Sequence, residues 1–280
     1  MSTNRVRVKF MCPFYGEYFR VRPGKNGQKR ARPGKNGQDR ANPDETGKRT
    51  AACVAAEESD VIQFLTRVPP EPYGKGDRHR MCCRYYTDDS PLLRPFVEEM
   101  NRSPLLQAFG EGAAAPFPGE VRPSQVAPAL ATGRAGRRAV FPMRWGFRGK
   151  SLLINARTET AGEKPLFREA WAGHRCALPA SGYFEWEHTE LPDGKRKTGS
   201  RYRFRRPEGE LIWLCGLYRL EGGLPCFVIL TREPGESVRP IHDRMPLILP
   251  EEAAREWIRP ERRPEELLEL ALTRVVPEIG

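Results

Sequence analysis

The chain has 280 residues, 39% hydrophobic and 30% charged, which fits a soluble globular protein of one large or two small domains. No run of about 18 apolar residues occurs, which excludes a helical membrane span. The net charge of +11 is uneven: residues 1–80 hold 17 Lys and Arg against 9 Asp and Glu, and residues 81–280 hold 30 against 27, so the second segment is not a general polycation.

Residues 1–80 are low in complexity. A ten-residue unit recurs as RPGKNGQKRA (Arg22 to Ala31) and RPGKNGQDRA (Arg32 to Ala41), with a degraded copy at Asn42 to Ala51. Pro, Gly and charge leave almost nothing to bury, so the segment is read as a disordered extension. It is either a basic tail that holds nucleic acid or sequence upstream of the true start. Val61 to Val68 is a short apolar stretch, closed by Pro69, Pro70 and Pro72. The N-terminus has no apolar signal segment, which gives the expectation of a cytoplasmic protein. Seven cysteines without CxxC or His-Cys metal spacing argue for reduced thiols, with no zinc site and no cofactor.

From Met81 the composition becomes that of a compact domain. Asp89 and Ser90 open a predicted helix with Pro91 in its first turn and Leu92, Leu93, Phe96, Val97 and Met100 on one face, although Pro95 interrupts it. EVRPSQVAPAL (Glu120 to Leu130) is extended by its prolines. AVFPMRWGF (Ala139 to Phe147) and SLLINARTET (Ser151 to Thr160) are predicted strands, and Asn155 and Arg157 share a face of the second. Lys164 to His174 is a short helix, and RCALPASGYFEWEH (Arg175 to His188) makes two strands around Gly182. RYRFRR, ELIWLCGLYRL and LPCFVILTREP follow as strands, and EEAAREWI and PEELLELAL close the chain as helices. The fold class is α+β: mainly antiparallel strands, barrel-like, with peripheral helices, in one domain over residues 81–280.

Four residues in four segments could carry chemistry. Met81-Cys82 looks like a start inside the chain, and as a mature N-terminus Cys82 would offer a free α-amine beside a thiol, able to take an aldehyde as an imine and then as a thiazolidine. Internally it is an ordinary small apolar residue. Glu185 lies between Phe184 and Trp186, where an apolar setting would raise its pKa toward that of a general acid or base; read alone, it is equally a structural carboxylate paired with an arginine. His242 is flanked by Asp243 and Arg244, and Asn155 could position a substrate oxygen or satisfy buried backbone. Arg84, Arg157 and Arg244 each stand two positions beyond Cys82, Asn155 and His242, a ring of guanidinium groups suited to a phosphodiester-linked substrate. No phosphate loop, GxSxG or HExxH motif is present.

MCCRYY, EVRPSQ, RWGF, INARTET, KPLF, RCALPASGYFEW, FVILT and IHDRMPLIL stand in the order found in the SOS-response-associated peptidase (SRAP) family of abasic-site processing proteins, which the chain resembles from Met81 to about Trp257. The resemblance implies binding of single-stranded DNA at abasic sites and a covalent thiazolidine crosslink through the cysteine after the initiator methionine. It also implies a peptidase-like, autoproteolytic exposure of that cysteine. By that likeness Cys82, Asn155, Glu185 and His242 are catalytic. Arg84, Arg157 and Arg244 hold phosphates, and Pro123, Ser124, Trp145 and Trp186 belong to the DNA-binding set, the proline and tryptophans wedging between bases or stacking on them. The expected protein is a monomer, associated with the nucleoid when bound to DNA.

Cys83 replaces the family's usual glycine and Glu120 an Asn. Eighty residues precede Met81, so the required amine exists only if translation starts at Met81 or the segment is cut away. Two other functions compete: a cysteine peptidase acting on other proteins through Cys82 and His242, and a non-catalytic single-strand binder.

Overall fold

A computed structural model describes residues 84–133, 135–190 and 196–280. The repeats, the Val61–Val68 stretch, Cys82 and Cys83 lie outside the described residues.

The chain runs in two β-layers. Strands β1 (Arg84–Thr87), β2 (Gly119–Val121), β7 (Gly182–Glu190), β8 (Arg196–Arg205) and β13 (Val276–Ile279) make an antiparallel sheet in the order β13-β8-β7-β1-β2. Strands β3 (Val126–Thr132), β4 (Arg138–Trp145), β6 (Arg175–Ala180), β9 (Ile212–Glu221) and β10 (Leu224–Arg232) pair in the order β4-β3-β6-β9-β10, a ring that the parallel β10–β4 contact closes. Short strands β5 (Asn155–Arg157), β11 (Met245–Pro246) and β12 (Ile248–Leu249) extend this barrel, and helices α1 (Arg94–Arg102), α2 (Thr158–Ala161), α3 (Pro165–Gly173), α4 (Glu251–Trp257) and α5 (Pro264–Leu268) lie around it. This is the expected α+β, mainly antiparallel barrel with peripheral helices.

Near-continuous apolar runs on β9 and β10 arise because both of their faces are covered. Ile212, Leu214, Phe227 and Ile229 join a core with Tyr85, Trp145, Tyr183 and Phe204 from the sheet side. The intervening Trp213, Cys215, Leu217, Val228 and Leu230 pack with Phe167, Trp171 and Trp257 of the helices. Arg175, 1% exposed, ties this helical layer to β6: its guanidinium donates to the carbonyls of Trp171, Ala172, Trp257, Arg259 and Arg262.

Several boundaries differ from the sequence reading. Helix α1 begins at Arg94, with Pro95 rather than Pro91 in its first turn, because Ser90 turns the chain by accepting the Leu93 and Arg94 amides. The strand expected over Ser151–Thr160 is confined to Asn155–Arg157, since Thr158–Ala161 coil into α2, where the Thr158 hydroxyl donates to the Thr231 carbonyl. The C-terminal strand β13 was not anticipated.

Gly182 sets how β1 crosses β7. It faces Tyr86 across the pair, and a Cβ there would stand 2.6 Å from the Tyr86 ring and into the Phe204 carbonyl. Gly182→Ala is therefore expected to cost about 1–3 kcal/mol through overpacking, read as a lower urea midpoint at unchanged m-value; an unchanged midpoint would contradict the close approach.

Candidate active site

Strand alternation on β7 directs Tyr183 and Glu185 to the core side and Phe184 and Trp186 to the other face. Glu185 is 1% exposed and His242 5%. His242 arrives from the loop between β10 and β11, where its amide donates to Val238, and the His188 amide donates to Ile241 to hold that loop against β7. The imidazole Nε2 lies 3.9 Å from Glu185 Oε2, longer than a hydrogen bond but close enough for strong electrostatic coupling at this depth.

Two groups meet the other ring nitrogen. Nδ1 accepts the Arg244 amide at 3.1 Å, and Asp243 Oδ1 stands at the same distance. A neutral ring uses its Nδ1 lone pair for the amide and turns Nε2–H toward Glu185. An imidazolium instead has an Nδ1–H to give to Asp243 while Nε2–H still faces Glu185. Protonation at Nδ1 therefore exchanges the Arg244 amide bond for the Asp243 carboxylate. The His188 ring packs edge-on against His242 at 5.0 Å.

Asn155 is brought to the same end of the barrel by β10. The C-terminal half of that strand carries β5 on one edge, with Ile229 opposite Asn155, and β11, just beyond His242, on the other. Asn155 is half-buried and Arg157 exposed on the same strand face, with Ala156 buried between them. Arg244 spans the strand end: it grips Glu159 of α2 through two 2.8 Å bonds and donates to the Thr231 carbonyl at 2.7 Å.

Trp145 is corrected from a base-stacking residue to a core residue. It is 0% exposed, stacked on Phe227 with Tyr85 beside it, and so presents no ring face to a base. Its indole N–H donates to the Ile154 carbonyl at 2.9 Å, which fixes the residue before Asn155. Pro123 is buried. Ser124 is exposed, with φ of 72°, at a turn whose Ser124 amide donates to the Trp145 carbonyl. Trp186 is half-buried, with the Arg84 guanidinium 5.4 Å above its ring.

The expected phosphate arginines are not alike. Arg157 is exposed. Arg84 pairs with Glu120, which also takes Arg122 and Arg201. Arg244 is committed to Glu159. Burial alone would raise both carboxyls, but hydrogen bonds from Arg201 and Arg122 at Glu120, and from Arg244 at Glu159, outweigh it and hold each below the usual carboxylate range. The sequence reading did not single out these acids as arginine partners. It also read RYRFRR as a strand without seeing that its alternate arginines, Arg201, Arg203 and Arg205, would line one face.

Among the described residues the cysteines are Cys176, Cys215 and Cys226, all buried. Burial raises all three thiols, Cys226 to about 12, so none offers a thiolate near neutrality. The described residues hold no group of three or more His, Cys, Asp or Glu placed for a metal ion.

Residues 81–278 match the family model of the SOS response associated peptidase, SRAP. The chain belongs to this family. The abasic site processing protein YoaM of Bacillus subtilis is 31% identical over 205 residues, covering 69% of this chain and 85% of that one. YobE of the same organism is 37% identical over 126 residues, and the match spans about half its length, 55%. YedK of Escherichia coli, likewise named an abasic site processing protein, is 35% identical over 144 residues, 49% of this chain and 62% of that one. A crystal structure of a Bacteroides thetaiotaomicron protein superposes with a TM-score of 0.54 at 20% identity, covering 71% of this chain and 91% of the other, and so shares the fold. The Glu185–His242 pair and Asn155 lie within the matched SRAP region.

The acid-arginine pairs in that region carry a pH dependence. Both carboxyls sit below their ordinary value of about 4.3, so the pairs stabilise the fold above that pH and cease to as pH falls through the lowered values. Glu120→Gln should therefore be less stable than the parent at pH 7, with the gap closing below about pH 4 in denaturant titrations. A gap unchanged between pH 7 and pH 2 would contradict the assignment.

Proposed function

We propose that the chain captures abasic sites in single-stranded DNA through Cys82, with Glu185 and His242 moving the protons and Asn155 positioning the sugar. The observation that carries this reading is the buried Glu185–His242 pair, an acid and an imidazole 3.9 Å apart with Asp243 3.1 Å from the other ring nitrogen. Arg84, two residues after Cys82 in the sequence, is paired across strands with Phe184, the neighbour of Glu185. The raised thiols of Cys176, Cys215 and Cys226 leave Cys82 as the better candidate nucleophile. The names of YoaM, YobE and YedK point to the same substrate.

In the proposed sequence His242 assists opening of the deoxyribose ring to its aldehyde. The Cys82 α-amine, with an ordinary pKa of about 7.7–8.0 and so partly neutral at pH 7, adds to the aldehyde carbon. Loss of water, with Glu185 giving the proton to the departing hydroxyl, leaves an imine. The Cys82 sulfur then adds to the imine carbon, forming the C–S bond, and its proton passes to the nitrogen to complete the thiazolidine. No electrons leave the system and no oxidant, metal or cofactor is required. The amine must be exposed, either by initiation at Met81 with methionine removal or by a cut before Cys82, an autoproteolytic one included. Residues 1–80 are then an extension ahead of the DNA-capturing domain, and the protein acts as a monomer in the cytoplasm.

A protein started at Met81 should form a heat-stable adduct with abasic single-stranded DNA, visible on a denaturing gel, and Cys82→Ser should abolish it. Glu185→Gln and His242→Ala should each slow capture by about 10² to 10⁴ while leaving affinity for intact single-stranded DNA within a few-fold. Equal losses of rate and affinity would make the pair structural instead.

A further inference from the structure

Opposite the core, the five-stranded sheet presents a face with a distinct composition. The cross-strand register lines up Arg84 with Phe184 and Arg203, and Tyr86 with Gly182 and Arg205; Trp186 stands opposite Arg201. Each ring carries a guanidinium: Arg84 over Trp186 at 5.4 Å, Arg201 over Phe184 at 4.5 Å and Arg203 over Tyr86 at 5.6 Å. Stacking of this kind holds an arginine flat and ordered without using its N–H edges.

The charges on this face do not balance. Arg84, Arg122 and Arg201 share the single carboxylate of Glu120, and Arg203 and Arg205 share that of Glu278 on β13. With Asp88 also near the Tyr86 ring, five guanidiniums against three carboxylates leave two positive charges in surplus. The side chains of Arg84, Arg201, Arg203 and Arg205 are 32–44% exposed. Since residues 81–280 carry only a small net charge overall, the surplus is concentrated rather than general.

We propose that the β8 row Arg201, Arg203 and Arg205 extends the contact expected of Arg84 and Trp186 on this face: a track for the phosphodiester backbone of single-stranded DNA. It rests on the reading of the chain as a single-strand binder given above. Successive same-face residues on a strand are about 6.6–6.8 Å apart, so Arg201, Arg203 and Arg205 form an evenly spaced cationic row. Backbone neutralisation by such a row is independent of base sequence and strongly dependent on salt. Glu278 and Glu120 act as internal counterions that phosphates displace or share.

The test is the affinity of the full chain for a fluorescent oligothymidylate of about 20 nucleotides, carrying no abasic site, across a salt series. Arg201→Gln/Arg203→Gln should weaken binding on the order of ten-fold at 0.15 M salt and flatten the log–log slope by about 1.4, the release expected from two lost phosphate contacts. Glu278→Gln, which keeps an amide oxygen for Arg203 and Arg205 but removes a negative charge, should tighten binding a few-fold. A merely structural role for these pairs would make both variants weaker or leave both unchanged. Unaltered affinity in the arginine variant, or no gain in Glu278→Gln, overturns the proposal. With no lesion in the probe, a failure of covalent capture at Cys82 leaves this result standing, and a failure here leaves capture untouched.

Discussion

A carboxylate removed from water costs several kcal/mol unless it is paired or takes a proton, and Glu185, between Phe184 and Trp186 at the centre of β7, is almost wholly removed. His242 is the group that answers it. The loop carrying the imidazole is tied to β7 through the His188–Ile241 backbone bond and to the barrel end through Arg244, so the pair is fixed from both sides. A low-dielectric setting strengthens the coupling between the two groups, and a proton gained by one is felt directly by the other.

The surrounding structure serves that placement. Gly182 admits Tyr86 and so seats β1 beside β7, bringing Arg84 alongside the residue before Glu185. Trp145, stacked in the core, holds Ile154 and thereby the start of β5 with Asn155. Glu159 and Thr231 hold Arg244, which in turn offers its amide to His242 Nδ1. Around the site, arginines are ordered by glutamates and aromatic rings, so that cationic groups stand in defined positions and not as a diffuse field.

What could be read from the sequence was set by the range of the interactions involved. GYFEW shows a carboxylate among aromatics, and strand alternation assigns Glu185 and Trp186 to opposite faces; both follow from local pattern. The barrel strands were legible because β9 and β10 are apolar over most of their length. Trp145 was misplaced because residue type says nothing about which side of β4 meets the core, and its place after Arg144 in the sequence is shared by core and surface tryptophans alike. The partners of Arg84 and Arg244 were invisible: Glu120 and Glu159 are 36 and 85 residues away. Strand β13 escaped notice because VPEI is short, polar and proline-bearing, and it is a strand only because β8 offers an edge.

The most direct test of the capture chemistry is tandem mass spectrometry of the protein–DNA adduct after nuclease and protease digestion. The expected spectrum places the sugar remnant on a peptide whose first residue is Cys82, with its α-amine and thiol both consumed and no Met81 ahead of it. A remnant on a lysine, on an internal cysteine, or on a peptide that retains Met81 would contradict the N-terminal thiazolidine.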